Sequence, residues 1–316
     1  MAQIILASGL QRSGTTLIHR LLDGHSQLWV MPIESALNAN KYLFPNFAAS
    51  VANHRFNLSY EFDNALPVWN FFRAATLKKY PKSFEVDNPD FDFDFDAFLN
   101  EWRNLMESEA HWTETKILET YLQAVFANLN SHPRRNSDRY VLKTPRLGFH
   151  YRRFFELCPD GRLIIMARKL ESYVGSEVRR SGVEPNGSYN RARRLKLIAN
   201  LCRLHKFASN VIAELSSEPK AHSIDFNDLT ADVEGQMRKV AGFLEIEFEE
   251  ILTVPTAYGE PWISNSSFRE ERTGTRGRVV HRSERQQSLT KTEQIALKLF
   301  DRMLPPAAAS TVFSLD

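Results

Sequence analysis

The chain of 316 residues lacks the features that define several classes of protein. It has two cysteines, too few for a disulfide framework and without the spacing of metal ligands, which favours a reducing compartment. No apolar run reaches the roughly 18 residues that span a bilayer, and the amino-terminal residues lack the basic and apolar regions of a signal peptide. These absences predict a cytoplasmic protein without a membrane span.

The chain also lacks an excess of charge of one sign. Forty basic residues stand against 38 acidic ones, which leaves a formal net charge of +2, so no global field attracts nucleic acid. The basic stretch 191–206 has no interleaved aromatic residues, and we interpret it as a solvated helix face. Any site for an anion must therefore be local.

Short apolar runs alternate with helical patterns along the chain. The runs that we predict to be strands are 3–8, 139–142, 162–167 and 222–226. This alternation predicts an α/β fold with a central, mainly parallel sheet flanked by helices. We expect a single domain over 1–316, with a variable, mainly helical insertion at about 40–135 and a long loop at about 262–287 that covers a site.

The first predicted strand leads into a glycine-bearing loop, Gly9-Leu-Gln-Arg-Ser-Gly14, and Thr15 and Thr16 then open a helical pattern. This is the glycine spacing of a nucleotide phosphate loop, in which backbone N–H groups converge on phosphate oxygens at the start of a helix. The usual lysine after the second glycine is absent. Arg12, inside the loop, supplies a positive charge instead. The pattern predicts a nucleotide-binding fold of the phosphate-loop type.

A second cation follows a later strand, because Arg168 stands directly after the run 162–167. A kinase or ATPase of the phosphate-loop class holds Mg²⁺ through an acidic residue at a strand end, and this strand end has none. A cationic loop with a cationic strand end favours a donor whose transferred group carries little charge. A sulfuryl group fits that description better than a terminal phosphoryl group, and we predict no metal.

Four segments, in this order along the chain, resemble the motifs of the sulfotransferases that use 3′-phosphoadenosine 5′-phosphosulfate (PAPS). The stretch 12–17 is similar to the 5′-phosphosulfate loop of that family, and 162–168 with Ser176 is similar to its 3′-phosphate motif. The stretches 225–229 and 261–268 are similar to two further recurrent segments. One departure is Leu170, where the family often has proline.

The resemblance implies transfer of a sulfuryl group from PAPS to a hydroxyl acceptor by in-line displacement, with release of adenosine 3′,5′-bisphosphate (PAP). It also implies which residues bind the nucleotide. They are Arg12, Ser13, Gly14, Thr15, Thr16, Arg168 and Ser176. In the long loop at 262–287, Ser266 and Arg276 are further candidates that would close over the nucleotide.

Such a transfer needs a general base for the acceptor hydroxyl. Glu34 lies in a segment, 31–35, that resembles the one carrying the catalytic glutamate of the family. His25 is the other candidate, although a histidine at a helix end can simply bond free carbonyl groups. Lys143 directly follows the predicted strand 139–142, at the carboxyl end where open α/β sheets bind ligands, and with Arg12 it is expected to stabilise charge on the leaving oxygen.

The acceptor is expected to be a hydroxyl of a small molecule, a carbohydrate or a peptide. Eleven of the 22 phenylalanines lie between Phe44 and Phe98, which indicates either packing of the helical insertion, the favoured interpretation, or an apolar pocket. An apolar pocket would favour an apolar, aromatic or lipid-like alcohol over a highly charged polysaccharide. Six arginines lie between Arg269 and Arg285, a local excess that suits an anionic nucleotide or a solvated surface loop. Two other functions stay open: a nucleotide-dependent kinase of the phosphate-loop class, and a nucleotide-binding protein without catalysis.

Overall fold

The computed structural model describes residues 2–31, 95–108, 114–129, 137–183, 188–262, 277–279 and 289–308. A five-stranded sheet lies at its centre. Its strands are β1 (Gln3–Gly9), β2 (Trp29–Val30), β3 (Arg139–Lys143), β4 (Arg162–Ala167) and β5 (Ala221–Asp225). They lie in the order β2-β3-β1-β4-β5, and every neighbouring pair is parallel.

Helices connect and cover the strands. They are α1 (Thr15–Leu22), α2 (Phe95–Glu107), α3 (Glu114–Ala127), α4 (Tyr151–Leu157), α5 (Leu170–Arg180), α6 (Ser188–Leu215), α7 (Phe226–Ala231), α8 (Val233–Leu244) and α9 (Lys291–Met303). Short 3-10 turns at Leu147–His150 and Glu250–Thr253 and a small antiparallel hairpin, β6 (Thr256–Ala257) with β7 (Glu260–Pro261), complete the described elements.

The core has two halves, one on each face of the sheet. Alternate residues of a strand point to opposite faces, so Ile4 and Leu6 pack with α3, α5 and α6, whereas Ile5 and Ala7 pack with α1 and α8. All four side chains are almost fully buried. Burial on both faces explains why β1 reads as a continuous apolar run, because parallel sheets are covered by helices on each side.

The predicted fold class is confirmed: the central sheet is parallel and helices flank it on both faces. The predicted strands agree closely with the observed ones, except that the fourth ends at Asp225 rather than at 226. Asp225 ends it because its carboxylate accepts hydrogen bonds from the N–H groups of Asn227, at 2.7 Å, and Asp228 and so begins α7. The division into one domain with an insertion stays a prediction, since α2 and α3 lie in the predicted insertion and most of its remainder lies outside the described residues.

A buried carboxylate fixes the far end of α1. Asp23, which is fully buried, accepts hydrogen bonds from Thr256 Oγ1 at 2.9 Å and from the Gly259 N–H at 2.8 Å. These contacts attach the β6–β7 hairpin to α1. No helix among the described residues combines the length and the apolar character needed to cross a membrane.

Candidate active site

The loop between β1 and α1 has the backbone of an anion site. Its φ angles are positive at Gly9 (146°), Arg12 (65°) and Gly14 (100°), and alternation of left- and right-handed residues turns successive N–H groups toward one side. Ser13 closes the turn, because its N–H and its hydroxyl both donate to the Leu10 carbonyl, at 3.1 and 2.6 Å. The loop therefore presents N–H groups at the start of α1, where the helix dipole favours an anion.

Gly14 is required at its position for two reasons. Its φ of 100° is one that residues with a side chain rarely adopt. A Cβ there would also lie 2.4 Å from Cδ2 of Phe226, at the start of α7. The second glycine of the loop thus allows α7 to pack directly against the first residue of α1.

Arg12 and the second cationic segment meet at this loop. The Arg12 Nε donates to Ser176 Oγ on α5 at 3.2 Å, and Arg168 Nη1, just beyond β4, donates to the Arg12 carbonyl at 2.5 Å. The three residues predicted for the two ends of the nucleotide therefore form one contiguous cluster, although Arg12 precedes the other two by more than 150 positions in sequence.

Arg168 is held on several sides. Its guanidinium lies 4.6 Å from the centre of the Phe226 ring, and its carbonyl accepts a hydrogen bond from His205 Nε2 at 2.7 Å. Burial, and then the nearby charge of Arg12, lower the pKa of Arg168 to about 10, while Asp225 acts in the opposite direction. The group stays protonated at neutral pH, and an anion at this position relieves the repulsion between the two guanidinium groups.

Lys143 lies on the other side of β1. It ends β3 opposite Ala7, it is almost fully buried, and its Nζ donates to Thr16 Oγ1 at 3.2 Å. The carboxyl ends of β1, β3 and β4 thus bring a lysine and two arginines to one edge of the sheet, the edge where open α/β sheets bind ligands.

Two residues near the loop were missed at the sequence level. The Arg146 Nη2 donates to Gln11 Oε1 at 3.0 Å, a contact that the proximity of Arg146 to the end of β3 could have suggested.

The second residue is His19. It is 1% exposed, and its ring bonds the Met31 backbone. Burial, and then the charges of Arg20 and Lys143, lower the pKa of His19 well below its usual value, so this imidazole is neutral.

His25 lies at the opposite edge of the sheet from the loop. It follows α1, which runs back from the carboxyl edge over about 12 Å, and it precedes β2, whose first residue Trp29 pairs with Tyr140 near the start of β3. Its buried ring bonds the Glu247 carbonyl through Nε2 at 2.8 Å and accepts from the Gln27 N–H through Nδ1 at 3.1 Å. These contacts assign His25 to the packing of this edge.

Three of the predicted site residues, Glu34, Ser266 and Arg276, lie outside the described residues. In the described ranges, no group of three or more His, Cys, Asp or Glu side chains is placed to hold a metal ion.

The model of the sulfotransferase family matches residues 5–250, which include the loop, Lys143, Arg168 and Ser176. The chain belongs to the sulfotransferase family. No curated protein matches this sulfotransferase.

Several solved structures resemble this chain at low sequence identity. The sulfotransferase domain from the curacin biosynthetic pathway is 16% identical, over 95% of this chain and 97% of that one, with a TM-score of 0.44. The sulfotransferase domain from the Synechococcus PCC 7002 olefin synthase is 16% identical, over 99% and 91%, with a TM-score of 0.45. Retinol dehydratase in complex with androsterone and the inactive cofactor PAP is 11% identical, over 78% and 61%, with a TM-score of 0.30.

Proposed function

We propose that this sulfotransferase transfers a sulfuryl group from PAPS to the hydroxyl group of an acceptor and releases PAP. Besides membership of the family, one observation carries the proposal: Arg168 donates to the Arg12 carbonyl and so joins two cationic segments at one edge of the sheet. A nucleotide with phosphate groups at both its 5′ and 3′ positions suits two cationic subsites that lie side by side.

The two ends of the nucleotide are assigned to different elements. The N–H groups of 12–16, with the Arg12 guanidinium and the threonine hydroxyls, bind the 5′-phosphosulfate at the start of α1. Arg168 and Ser176 bind the 3′-phosphate. Ser176 already accepts a hydrogen bond from Arg12, so one hydroxyl connects the two subsites. Ser266 and Arg276 are proposed to cover the nucleotide from the loop at 262–287.

The reaction is a direct displacement at sulfur. The acceptor oxygen forms a new bond to sulfur while the bond between sulfur and the 5′-phosphate oxygen breaks, and PAP leaves with that electron pair. Lys143 is placed beside Thr16, at the first turn of α1. Its ammonium group stabilises the negative charge that develops on the leaving oxygen, together with Arg12.

Glu34 is proposed to take the proton of the acceptor hydroxyl. The Met31 N–H donates to the Val141 carbonyl at 2.9 Å, which continues the parallel pairing of β2 with β3 toward the edge that carries Lys143. Glu34 follows Met31 by only three residues along the chain. A carboxylate so soon after the end of β2 in sequence suits a general base at this edge.

The acceptor is proposed to be a hydroxyl of a small molecule, a carbohydrate or a peptide.

We place the protein in the cytoplasm, because Cys158 and Cys202 are both free and buried, as expected in a reducing compartment.

The experiment that tests this function is transfer of radiolabelled sulfate from PAPS to a panel of alcohols by the purified protein, with release of PAP measured in parallel. We expect transfer in the presence of a chelator, and we expect Glu34→Gln to lower kcat at least about 100-fold while PAP binding is retained. Glu156→Gln, at an exposed position on α4, is the matched control. Mg²⁺-dependent transfer of a phosphoryl group from ATP, without sulfuryl transfer from PAPS, would instead support the alternative function, a nucleotide-dependent kinase.

A further inference from the structure

Arg146 has an unusual backbone conformation beside the phosphate loop. It follows β3 by three residues, and its φ is 67°, in the left-handed region that residues with a side chain seldom occupy. Such a conformation persists where surrounding contacts hold it, and it occurs often at functional sites. None of the roles proposed above uses this arginine.

Both the backbone and the side chain of Arg146 bond the loop. Its N–H donates to the carbonyl of Gly9, the last residue of β1, at 2.8 Å. Its Nη2 donates to Gln11 Oε1 at 3.0 Å. The Arg146 carbonyl in turn accepts from the Phe149 N–H at 3.0 Å, at the start of the 3-10 turn Leu147–His150. A single residue therefore holds the loop at two points.

The loop is held from the opposite side as well. Arg12, the residue after Gln11, is bonded through its side chain to Ser176 and through its carbonyl to Arg168. Adjacent residues at the tip of the loop are thus fixed in opposite directions, one toward the end of β3 and the other toward β4 and α5. The strained φ of 65° at Arg12 lies between these two attachments.

We propose that Arg146 is a positioning residue for the phosphate loop: through Gln11 and Gly9 it keeps the loop in the conformation that binds the 5′ end of the nucleotide. The inference rests on the proposed function, because it names how that same site is preorganised. A loop already in its binding conformation loses less entropy when the anion binds. Loss of the Arg146 side chain should therefore weaken nucleotide binding through the loop that this side chain bonds.

The test is a double-mutant cycle on PAP affinity, measured by calorimetry. Arg146→Gly removes the side chain, keeps the N–H that bonds Gly9 and tolerates the positive φ. We expect Arg146→Gly and Gln11→Ala each to weaken PAP binding roughly 10-fold, and the double variant to bind no more weakly than either single variant, because both remove the same contact. Arg153→Ala, an exposed arginine on α4, should bind PAP as the unmodified protein does.

Two results would overturn the inference: Arg146→Gly binding PAP with unchanged affinity, or losses that multiply in the double variant. If Arg146→Gly does not fold, Arg146→Lys replaces it in the cycle. Arg146→Lys keeps the positive charge but loses the planar guanidinium. We expect it to bind PAP more weakly, and we expect the addition of Gln11→Ala to cause no further loss of affinity. Unchanged PAP affinity in Arg146→Lys would count against the proposal.

Failure of the proposed function has a different signature. If the unmodified protein prefers ADP to PAP, the donor assignment is wrong, and the same cycle measured with ADP still decides whether Arg146 positions the loop.

Discussion

Replacement of Arg168 by alanine tests the 3′-phosphate subsite most sharply. PAP differs from adenosine 5′-monophosphate (AMP) by the 3′-phosphate alone, so the ratio of the two affinities measures what the protein gains from that group. Burial of the Arg168 guanidinium, and then the adjacent Arg12 charge, lower its pKa to about 10. A partly desolvated cation beside a like charge gains strongly from a phosphate dianion.

The expected magnitude follows from the hydrogen bonds that are lost. A hydrogen bond to a charged group contributes about 1.5–3 kcal/mol, and a guanidinium can make two to one phosphate. Arg168→Ala should therefore cost about 3 kcal/mol with PAP, a loss of affinity of roughly 100-fold. AMP affinity should fall much less, through the lost contact with the Arg12 carbonyl alone, so the preference for PAP over AMP should nearly disappear.

The assay is isothermal titration of PAP and AMP into the unmodified protein, Arg168→Ala and one matched control. The control is Arg162→Ala, which removes an arginine from the other end of the same strand, where it pairs with Glu245. It should leave both affinities unchanged. An equal loss for PAP and AMP in Arg168→Ala, or an equal effect of Arg162→Ala, would refute the assignment of the subsite.

Three further predictions concern the loop and its surroundings. Gly14→Ala combines a positive φ with a Cβ that would lie 2.4 Å from Phe226, so it should lower the free energy of unfolding in urea by about 1–3 kcal/mol. Gly242→Ala is the control: a Cβ there would have no atom within 4 Å, so this variant should be neutral or slightly stabilising. Lys143→Met should lower kcat about 100-fold with PAP affinity changed much less, and a loss in affinity alone would contradict its role at the leaving oxygen. Burial lowers the pKa of His19, so below pH about 6.5 the unfolded chain binds a proton that the folded chain does not. The free energy of unfolding should therefore decrease as the pH is lowered, by up to about 1.4 kcal/mol per pH unit from this group. His19→Asn should make this pH dependence shallower, and an unchanged slope would show that His19 is not its source.

Much of the fold was predictable because the strands are covered on both faces. The runs 3–8 and 162–167 are continuously apolar over 4–7 and 163–167. The first run falls one residue short of the observed strand, and the second matches it fully. By contrast, β2 has two residues, Trp29 and Val30, too few for any period to be visible. The last helix, α9, was missed, although Thr290 and Glu293 form a capping box that could have been recognised from their spacing.

The candidate site was predictable as a set of residue types at strand ends, and less so as a set of contacts. Arg12 and Arg168 each follow a predicted strand, and the carboxyl ends of parallel strands meet at one edge. The bond between Arg168 and the Arg12 carbonyl depends on a left-handed residue in the loop, which no sequence pattern specifies for arginine. The left-handed conformation of Arg146 is no more predictable, and the bond of the His19 ring to the Met31 backbone involves a residue just beyond a strand too short to predict.

The measurement that tests the central claim most directly is a calorimetric comparison of PAP, ADP and ATP on the unmodified protein. Two cationic subsites joined at the Arg12 carbonyl should select the nucleotide that carries phosphates at both ends, so PAP should bind at least about 10-fold more tightly than ADP or ATP. Equal affinity for the three nucleotides, or tighter binding of ATP, would contradict the account.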